Sequence, residues 1–282
     1  MKKYIDLHIH STNSDGSWTP SRIVERALKY ELSVISITDH DTVSGIPEAL
    51  EAVRGKNLDF VPGIEISTKW CHGRMHILGY FIDHNSPSLK GLSTKLGDAR
   101  KERVLETCRR LAEIGKPISP ELVMKMAGDS SSPGRPHIAN AMVKMGYVPT
   151  LQKAFDLYLS YGKPGYVPRW SPEPEEAIDI IHSAGGIAVI AHCPVTEGCM
   201  EQIDNIIELG IDGIEAYYPS HKPHEIKKLI DIAKSHNLAI TGGSDCHGMT
   251  RGEPLLGIYK VPYEVYENLV VFYENFKLKD KL

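Results

Sequence analysis

The sequence predicts an α/β fold in which about seven strand-and-helix units close into a barrel carrying a small helical insert. Apolar, β-branched strands alternate with amphipathic helices over residues 3–82, and this alternation resumes near residue 165. Between the two regions, residues 97–160 are mostly helical and show no strong strand signal. We therefore expect a barrel domain of residues 1–90 and 165–282, and an inserted helical domain of residues 91–164 that covers the substrate.

The first half of the barrel begins with a strand over residues 3–10. Thr19 is suited to cap the helix that follows, and Pro20 fits its first position. The next elements are, in order, a strand over 33–38, a helix over 46–54, and strands over 58–66 and 75–81. We expect these strands to lie side by side in one sheet.

The second half begins with a strand at residues 165–167. The elements that follow are a helix over 175–184, a strand over 187–191, a helix over 200–209, a strand over 213–217, a helix over 223–235, a strand over 238–241 and a closing helix over 262–276. Repeated strand-then-helix units favour a parallel sheet, and this number of them favours closure into a barrel.

Composition excludes several classes of protein. Hydrophobic residues are 41% of the 282 positions, and the net charge of −4 argues against a broad nucleic-acid surface. No apolar run reaches membrane-spanning length, and no pattern indicates an obligate protein partner. The five cysteines are odd in number and include no C-x-x-C pair. Together with the lack of a signal peptide, this predicts a reducing, cytoplasmic location.

The first strand carries the residues around which the chain is organised. Its two-residue period places Asp6, His8 and His10 on one face, and a short turn returns Asp15 beside them. Imidazole nitrogens and carboxylate oxygens at one strand end are typical of a divalent metal site. The alternative is a solvated strand edge with two ordinary histidines.

Similar residues recur at the ends of later strands. At or just beyond predicted strand C-termini lie His8, His10, His40, Glu65, His192, Asp245 and His247. In parallel barrels the catalytic groups occupy this edge, so these side chains are expected to meet there. Their recurrence favours the metal site over the solvated edge.

These motifs resemble the PHP family, named for polymerase and histidinol phosphatase domains. The matching segments are Asp6-Leu7-His8-Ile9-His10 with Asp15, Thr38-Asp39-His40-Asp41, Gly63-Ile64-Glu65, Ala191-His192 and Ser244-Asp245-Cys246-His247. The resemblance covers residues 1–82 and 165–260. It implies a distorted (β/α)₇ barrel with two or three divalent metal ions, manganese first, with iron or zinc as alternatives.

The resemblance also implies which side chains hold these ions. The expected sets are His8, His10, Glu65 and Asp245 for the first ion, Asp15, His40 and His247 for the second, and Glu65, His76 and His192 for a third. Three carboxylates against three divalent ions leave about three positive charges, which favour a phosphoester substrate. A metal-bridging hydroxide would then attack phosphorus, without a serine or cysteine nucleophile.

The insert further resembles the branch of the family that acts on nucleoside 3′,5′-bisphosphates and 5′-phosphorylated RNA ends. Arg100 and Arg103 lie three apart on a predicted helix, hence on one face, and with Arg135 they could bind a second phosphate. The alternative is a solvated charged helix. Arg169 is a further candidate.

Protonation of the leaving group needs a separate residue. Asp245 and His247 could carry protons, but metal ligands have little freedom to do so. His137 and His221 are candidates outside the ligand set, both for proton transfer and for substrate binding. The alternative for His221 is an exposed loop residue.

The leading hypothesis is therefore a metal-dependent phosphoesterase that hydrolyses the 3′-phosphate ester of 5′-phosphorylated nucleotides, yielding the nucleoside 5′-monophosphate, and that also acts on short single-stranded 5′-phosphorylated RNA. One alternative is a phosphatase or cyclic-phosphate phosphodiesterase for a small sugar or amino-alcohol phosphate, such as histidinol phosphate. A second is a metal-binding domain without catalysis.

Overall fold

The computed structural model describes residues 3–71, 73–128, 133–250 and 252–279. Two sheets form in this part of the chain, with strand orders β3-β2-β1-β9 and β4-β5-β6-β7-β8. The strands are β1 (Tyr4–Ile9), β2 (Leu32–Ile37), β3 (Asp59–Phe60), β4 (Gly63–Trp70), β5 (Gly73–Tyr80), β6 (Ile187–Ile190), β7 (Gly213–Tyr217), β8 (Ala239–Gly242) and β9 (Val261–Pro262).

The helices cover the sheets and build the insert. They are α1 (Pro20–Lys29), α2 (Ile46–Val53), α3 (Pro87–Glu113), α4 (Pro120–Ala127), α5 (Arg135–Lys144), α6 (Leu151–Ala154), α7 (Pro174–Ser183), α8 (Ile203–Glu208), α9 (Pro223–Ser235) and α10 (Tyr263–Lys279). A π-helical turn follows α6 at Phe155–Leu159. The predicted cap of α1 is confirmed, because the Thr19 hydroxyl accepts a hydrogen bond from the Arg22 amide.

The predicted α/β class is confirmed, but the strands are not one continuous parallel ladder. Among the described residues, the two sheets meet through isolated parallel bridges, His40 with Glu65 and Ile9 with Cys246. β5 also runs antiparallel to both β4 and β6. The strand-and-helix alternation did not predict this hairpin, because a strand's direction is set by its connection and not by its own residues.

Two predicted strands differ from the structure. The strand predicted over residues 58–66 is interrupted at Pro62, which has no N–H for the ladder. The strand predicted at residues 165–167 is absent. There the Gly165 and Tyr166 amides donate to the carbonyls of Tyr158 and Lys163, so turn hydrogen bonds replace strand pairing.

The long helix α3 belongs to two hydrophobic cores. Leu89, Leu92 and Leu96 pack with the sheet that contains β4 and β5. Val104 and Leu111 pack in a second core with α4, α5 and the π-helical turn. The insert boundary predicted at residue 91 therefore falls inside α3. Between the two apolar stretches, Arg100 and Arg103 are buried, so α3 carries these cations from the insert to the main sheets.

Two further observations bear on the cysteines and on membranes. Cys193 and Cys199 form a disulfide in the segment after β6, a pairing that the absence of C-x-x-C spacing did not anticipate. Cys71, Cys108 and Cys246 are free thiols. Within the described ranges, no helix has the length and apolar content needed to cross a membrane.

Candidate metal centre and arginine cavity

Glu65 lies at the centre of the predicted metal site and is 1% exposed. It is the third residue of β4 and not at a strand C-terminus as predicted, but the bridge to His40 sets it beside the end of β2. Five imidazole nitrogens approach its carboxylate. The distances to Oε2 are 3.4 Å from His8, 3.2 Å from His10 and 2.9 Å from His40, and those to Oε1 are 2.8 Å from His76 and 3.1 Å from His192.

Two more carboxylates complete the cluster. Asp245 Oδ1 lies 3.0 Å from Nε2 of His10 and 3.4 Å from Nε2 of His8. Asp15 Oδ1 lies 3.1 Å from Nε2 of His247. The structure thus brings together the whole predicted ligand set in one place: His8, His10, Asp15, His40, Glu65, His76, His192, Asp245 and His247.

The geometry divides these ligand atoms somewhat differently from the sets implied by the family resemblance. Atoms close enough to share one ion form three groups: His10, Asp15, His40 and His247; His8, His10 and Glu65; and His40, Glu65 and His76. His10 and His40 therefore each face two groups. Their placement makes the site one connected cluster and not three separate ones.

The cluster fits divalent cations because its donor atoms converge without bonding to one another. Nε2 of His8, both ring nitrogens of His10, Oε2 of Glu65 and Nδ1 of His40 and His76 are buried, yet make no hydrogen bond within the described part of the chain. Such atoms are costly to bury unless something else satisfies them. A mixture of imidazole and carboxylate donors is the set that binds divalent transition metals.

Charge within the cluster keeps its central carboxylate ionised. Burial works against ionisation of Glu65, but His40, His76 and His8 outweigh it and hold its pKa well below the ordinary value. Burial lowers the pKa of both His40 and His76. An ionised carboxylate beside neutral imidazoles is the form in which these groups bind metals.

Glu215, in the middle of β7, orients two of the ligands and was not predicted. It is fully buried, and the Nδ1–H of His8 donates to its Oε1 at 2.8 Å, which directs Nε2 of that ring into the cluster. Its Oε2 accepts the His192 amide at 2.8 Å. A carboxylate that fixes the tautomer of a ligating histidine is a recurrent feature of metal sites. A lone glutamate in an apolar strand was the available sequence signal.

Asp39 holds the turn that carries Asp15. It accepts hydrogen bonds from the Ser11 amide at 2.7 Å and from the hydroxyls of Ser11 and Ser14, both at 2.6 Å. Tyr218 similarly donates its hydroxyl to Asp245 Oδ2 at 2.9 Å. Both carboxylate ligands contributed by loops are thus positioned by neighbouring polar groups.

An arginine-rich cavity of about 430 Å³ adjoins the cluster. Asp15, His40 and His76 form the wall that it shares with the candidate metal centre. The predicted arginines Arg100, Arg103 and Arg135 line it, together with Arg74 of β5, which the sequence analysis missed. The alternative of a solvated charged helix is wrong for Arg100 and Arg103, which are 6% and 3% exposed.

One buried carboxylate, Asp41, neutralises part of this positive charge. Its Oδ2 accepts from Nε of Arg100 at 2.9 Å and from Nη2 of Arg169 at 2.5 Å, and its Oδ1 accepts the Ser67 amide at 2.8 Å. Burial works against ionisation of Asp41, but the two guanidinium groups outweigh it and lower its pKa far below the usual range. Asp41 adopts a left-handed backbone conformation with φ of 61°.

The other arginines lack equivalent compensation. Nε and Nη1 of Arg103 are buried and make no hydrogen bond to the described residues. Burial, followed by the charges of Arg74 and Arg100, lowers the pKa of Arg103 well below its usual value. Burial and the neighbouring Arg169 and Arg135 lower the pKa of Arg74 to about 8. An anion in the cavity would relieve this repulsion.

The two proton-transfer candidates outside the ligand set differ in tautomer. Nδ1 of His137 accepts the Gly134 amide at 3.0 Å, so a neutral ring carries its proton on Nε2. In His221, Nδ1–H donates to the Ala216 carbonyl at 2.9 Å, which leaves Nε2 as an acceptor. His221 is 6% exposed, so the alternative of an exposed loop residue is wrong.

Replacement of Asp41 by alanine is expected to destabilise the protein by about 3–5 kcal/mol, because it leaves two buried guanidinium groups without a counter-charge. Since the folded-state pKa of Asp41 is lowered, this contribution is present above the ordinary carboxyl pKa and is lost as pH falls towards the lowered value. Urea unfolding at neutral pH measures the loss. Asp98→Ala, which breaks an exposed pair with Lys101 on the same helix, should change stability little. Equal effects of the two substitutions would contradict the assigned role.

Comparison with known proteins agrees with this geometry. The PHP domain family matches residues 6–114. A 3′,5′-nucleoside bisphosphate phosphatase of Chromobacterium violaceum is 32% identical over 252 residues, which cover 88% of each chain. The chain belongs to the PHP family. The resemblance drawn from its motifs is thereby confirmed, and as a PHP family protein it is a metal-dependent phosphoester hydrolase.

Other PHP proteins similar to this chain have different printed activities. The 5′-3′ exoribonuclease Rnm of Salmonella typhimurium is 34% identical over 86% of this chain and 84% of its own. A phosphoribosyl 1,2-cyclic phosphate 1,2-diphosphodiesterase of Eggerthella lenta is 30% identical over 91% and 98%. A solved structure from Bifidobacterium adolescentis, described as a metal-dependent phosphoesterase, matches with a TM-score of 0.86 and 31% identity over 96% of both chains.

Proposed function

We propose that this PHP protein hydrolyses the 3′-phosphate ester of nucleotides that carry a 5′-phosphate, both nucleoside 3′,5′-bisphosphates and short 5′-phosphorylated RNA. The observation that carries the proposal is the arginine cavity, which shares Asp15, His40 and His76 with the candidate metal centre. A substrate with two phosphates could engage both parts at once.

The candidate metal centre would bind the phosphate that reacts. We propose that its nine side chains hold two or three divalent ions, manganese first, on the two sheets acting together as a distorted (β/α)₇ barrel. When bound, such ions lower the pKa of water towards neutrality and stabilise charge on phosphoryl oxygens. Glu215 and Asp39 keep the ligands in place, so the site needs little rearrangement to act.

The arginine cavity would bind the phosphate that does not react. Arg103 has unused donors there, and Arg135 lies beside it in the lining. Guanidinium groups bind phosphate through paired, charge-assisted hydrogen bonds. Holding the 5′-phosphate fixes the ribose, so the 3′-ester is presented to the metal centre in a defined orientation.

His137 is the better suited of the two candidates for proton donation to the leaving oxygen. Its neutral ring carries the proton on Nε2, whereas the Nδ1 proton of His221 is used by the Ala216 carbonyl. Burial lowers the pKa of His221, so near neutral pH its Nε2 is an acceptor. We therefore propose that His221 accepts a hydrogen bond from substrate or water, and that Asp245 and His247 act as ligands.

Two other activities remain as outcomes of the test. The similarity to a cyclic-phosphate diphosphodiesterase favours a small cyclic sugar phosphate as the second candidate substrate. A simple monoester such as histidinol phosphate would leave the arginines of the cavity without a ligand. A domain without catalysis is disfavoured because each predicted ligand position carries a metal-binding side chain.

The function is tested by phosphate release from a matched substrate panel with manganese present. The panel is adenosine 3′,5′-bisphosphate, adenosine 3′-phosphate, a 5′-phosphorylated RNA trimer, a ribose 1,2-cyclic phosphate and histidinol phosphate. We expect the bisphosphate and the trimer to have the highest kcat/KM, and a chelator to abolish both activities. Preference for the cyclic phosphate or for histidinol phosphate would reject the proposal.

A further inference from the structure

Aromatic side chains form the outer rim of the arginine cavity. Phe155, Tyr161 and Tyr166 line it together with Arg135. Tyr161 is 78% exposed, although isolated exposed aromatic residues are common on protein surfaces. What distinguishes Tyr161 is its place at the mouth of a cavity whose floor is cationic. We call Tyr161 and Tyr166 the aromatic rim.

The aromatic rim is structurally coupled to the arginine beneath it. Nη1 of Arg135 donates to the carbonyl of Leu159 at 3.2 Å, at the end of the π-helical turn. The guanidinium carbon lies 5.9 Å from the ring centroid of Tyr166. Tyr161 meets that ring edge-on, with centroids 5.3 Å apart and an angle of 70°. π-Helical turns occur frequently at functional sites, and this one sets Tyr161 two residues beyond the Arg135 contact.

We propose that the aromatic rim stacks on the nucleobase of the substrate, with Tyr161 providing the principal face. This inference rests on the proposed function, in which the 5′-phosphate lies on the arginines and the 3′-phosphate at the metal centre. The base then projects from the ribose towards the cavity mouth. The edge-on packing against Tyr166 leaves the faces of Tyr161 largely accessible to solvent.

Stacking on the aromatic rim would make the enzyme selective for nucleotides while tolerating different bases. Every base presents a π face, so stacking contributes affinity without reading hydrogen-bond patterns. An enzyme that removes nucleotides one after another from RNA needs this tolerance. The rim therefore assigns a specificity-determining role to Tyr161, separate from phosphate recognition.

The test compares Tyr161→Ala and Tyr161→Phe on two substrates, adenosine 3′,5′-bisphosphate and the same bisphosphate of 1-deoxyribose, which has no base. For the adenosine substrate, Tyr161→Ala should raise KM by about 5- to 150-fold, the loss that corresponds to about 1–3 kcal/mol of stacking. The abasic substrate should show little change, and Tyr161→Phe should restore the wild-type KM. Leu157→Ala, which truncates a half-exposed side chain on the same π-helical turn, is the matched control and should affect neither substrate.

A binding measurement separates this proposal from the assignment of the reaction. Metal-free protein should quench the fluorescence of ethenoadenosine 3′,5′-bisphosphate, and Tyr161→Ala should remove the quenching. Equal loss on the adenosine and abasic substrates, or failure of phenylalanine to restore KM, would overturn the stacking role. If no bisphosphate is hydrolysed but quenching depends on Tyr161, the proposed reaction fails while the stacking surface stands.

Discussion

Glu65→Gln is expected to lower kcat/KM by more than the roughly 100-fold upper range seen when a group supporting a metal ligand is lost. Bound metal should fall at the same time. Five imidazole nitrogens lie within 3.4 Å of this one carboxylate, so it is the only side chain in the described chain to face both His8 and His76. Glutamine preserves its size but removes the charge that compensates the cations.

Glu215→Gln is the matched control for this substitution. Glu215 is equally buried and contacts His8, but through the ring nitrogen that faces away from the cluster. We expect a loss of about 10- to 100-fold, with most of the metal retained. Elemental analysis of the purified proteins, together with kinetics at saturating manganese, distinguishes the two variants. Wild-type metal content and activity in Glu65→Gln would show that Glu65 does not link the metal positions.

The residues of the metal centre were predictable because they have local signatures. His8 and His10 share one strand face, and Asp245 and His247 share another short segment, so a two-residue period places each pair correctly. The parallel strands then bring these segments to one edge. For Glu65 the local prediction was wrong, since it lies near the start of β4, yet the bridge to His40 brings it to the same edge.

The supporting residues were harder to predict because their roles depend on contacts distant in sequence. Glu215 acts through His8, which lies 207 positions away, and Arg169 meets Asp41 across 128 positions. Arg74 reaches the cavity because β4 and β5 form an antiparallel hairpin, which the predicted alternation did not contain. No period in the sequence reports such pairings. The fold class, in contrast, follows from patterns within single elements.

The arginine cavity also shows a cost in stability that function can explain. Arg103 is buried among like charges, and its pKa is lowered by burial and by Arg74. Arg103→Met keeps similar bulk and removes a buried charge, so the metal-loaded variant should unfold at the same or a higher denaturant concentration than the wild type. A side chain that weakens the folded state in the absence of substrate is consistent with a binding role.

The last prediction concerns the 5′-phosphate itself. Adenosine 3′-phosphate is expected to have a kcat/KM lower than that of adenosine 3′,5′-bisphosphate by roughly 100-fold or more, since at least two charge-assisted contacts of roughly 1.5–3 kcal/mol each are lost. Part of the loss should appear in kcat, because a remote contact that orients the ester also acts in the transition state. Arg103→Met should reduce activity on the bisphosphate by roughly 10- to 150-fold and leave the monophosphate nearly unchanged.

The double-mutant comparison uses both substrates with wild type, Arg103→Met and Arg109→Ala. Arg109 lies on the same helix but is exposed and pairs with Glu106, so its removal should alter neither substrate. If the 5′-phosphate rests on Arg103, removing the phosphate and removing the guanidinium should not add, because each removes the same interaction. Additive losses would place the 5′-phosphate elsewhere. Equal turnover of the two adenosine substrates by the wild type would show that the arginine cavity does not bind a 5′-phosphate.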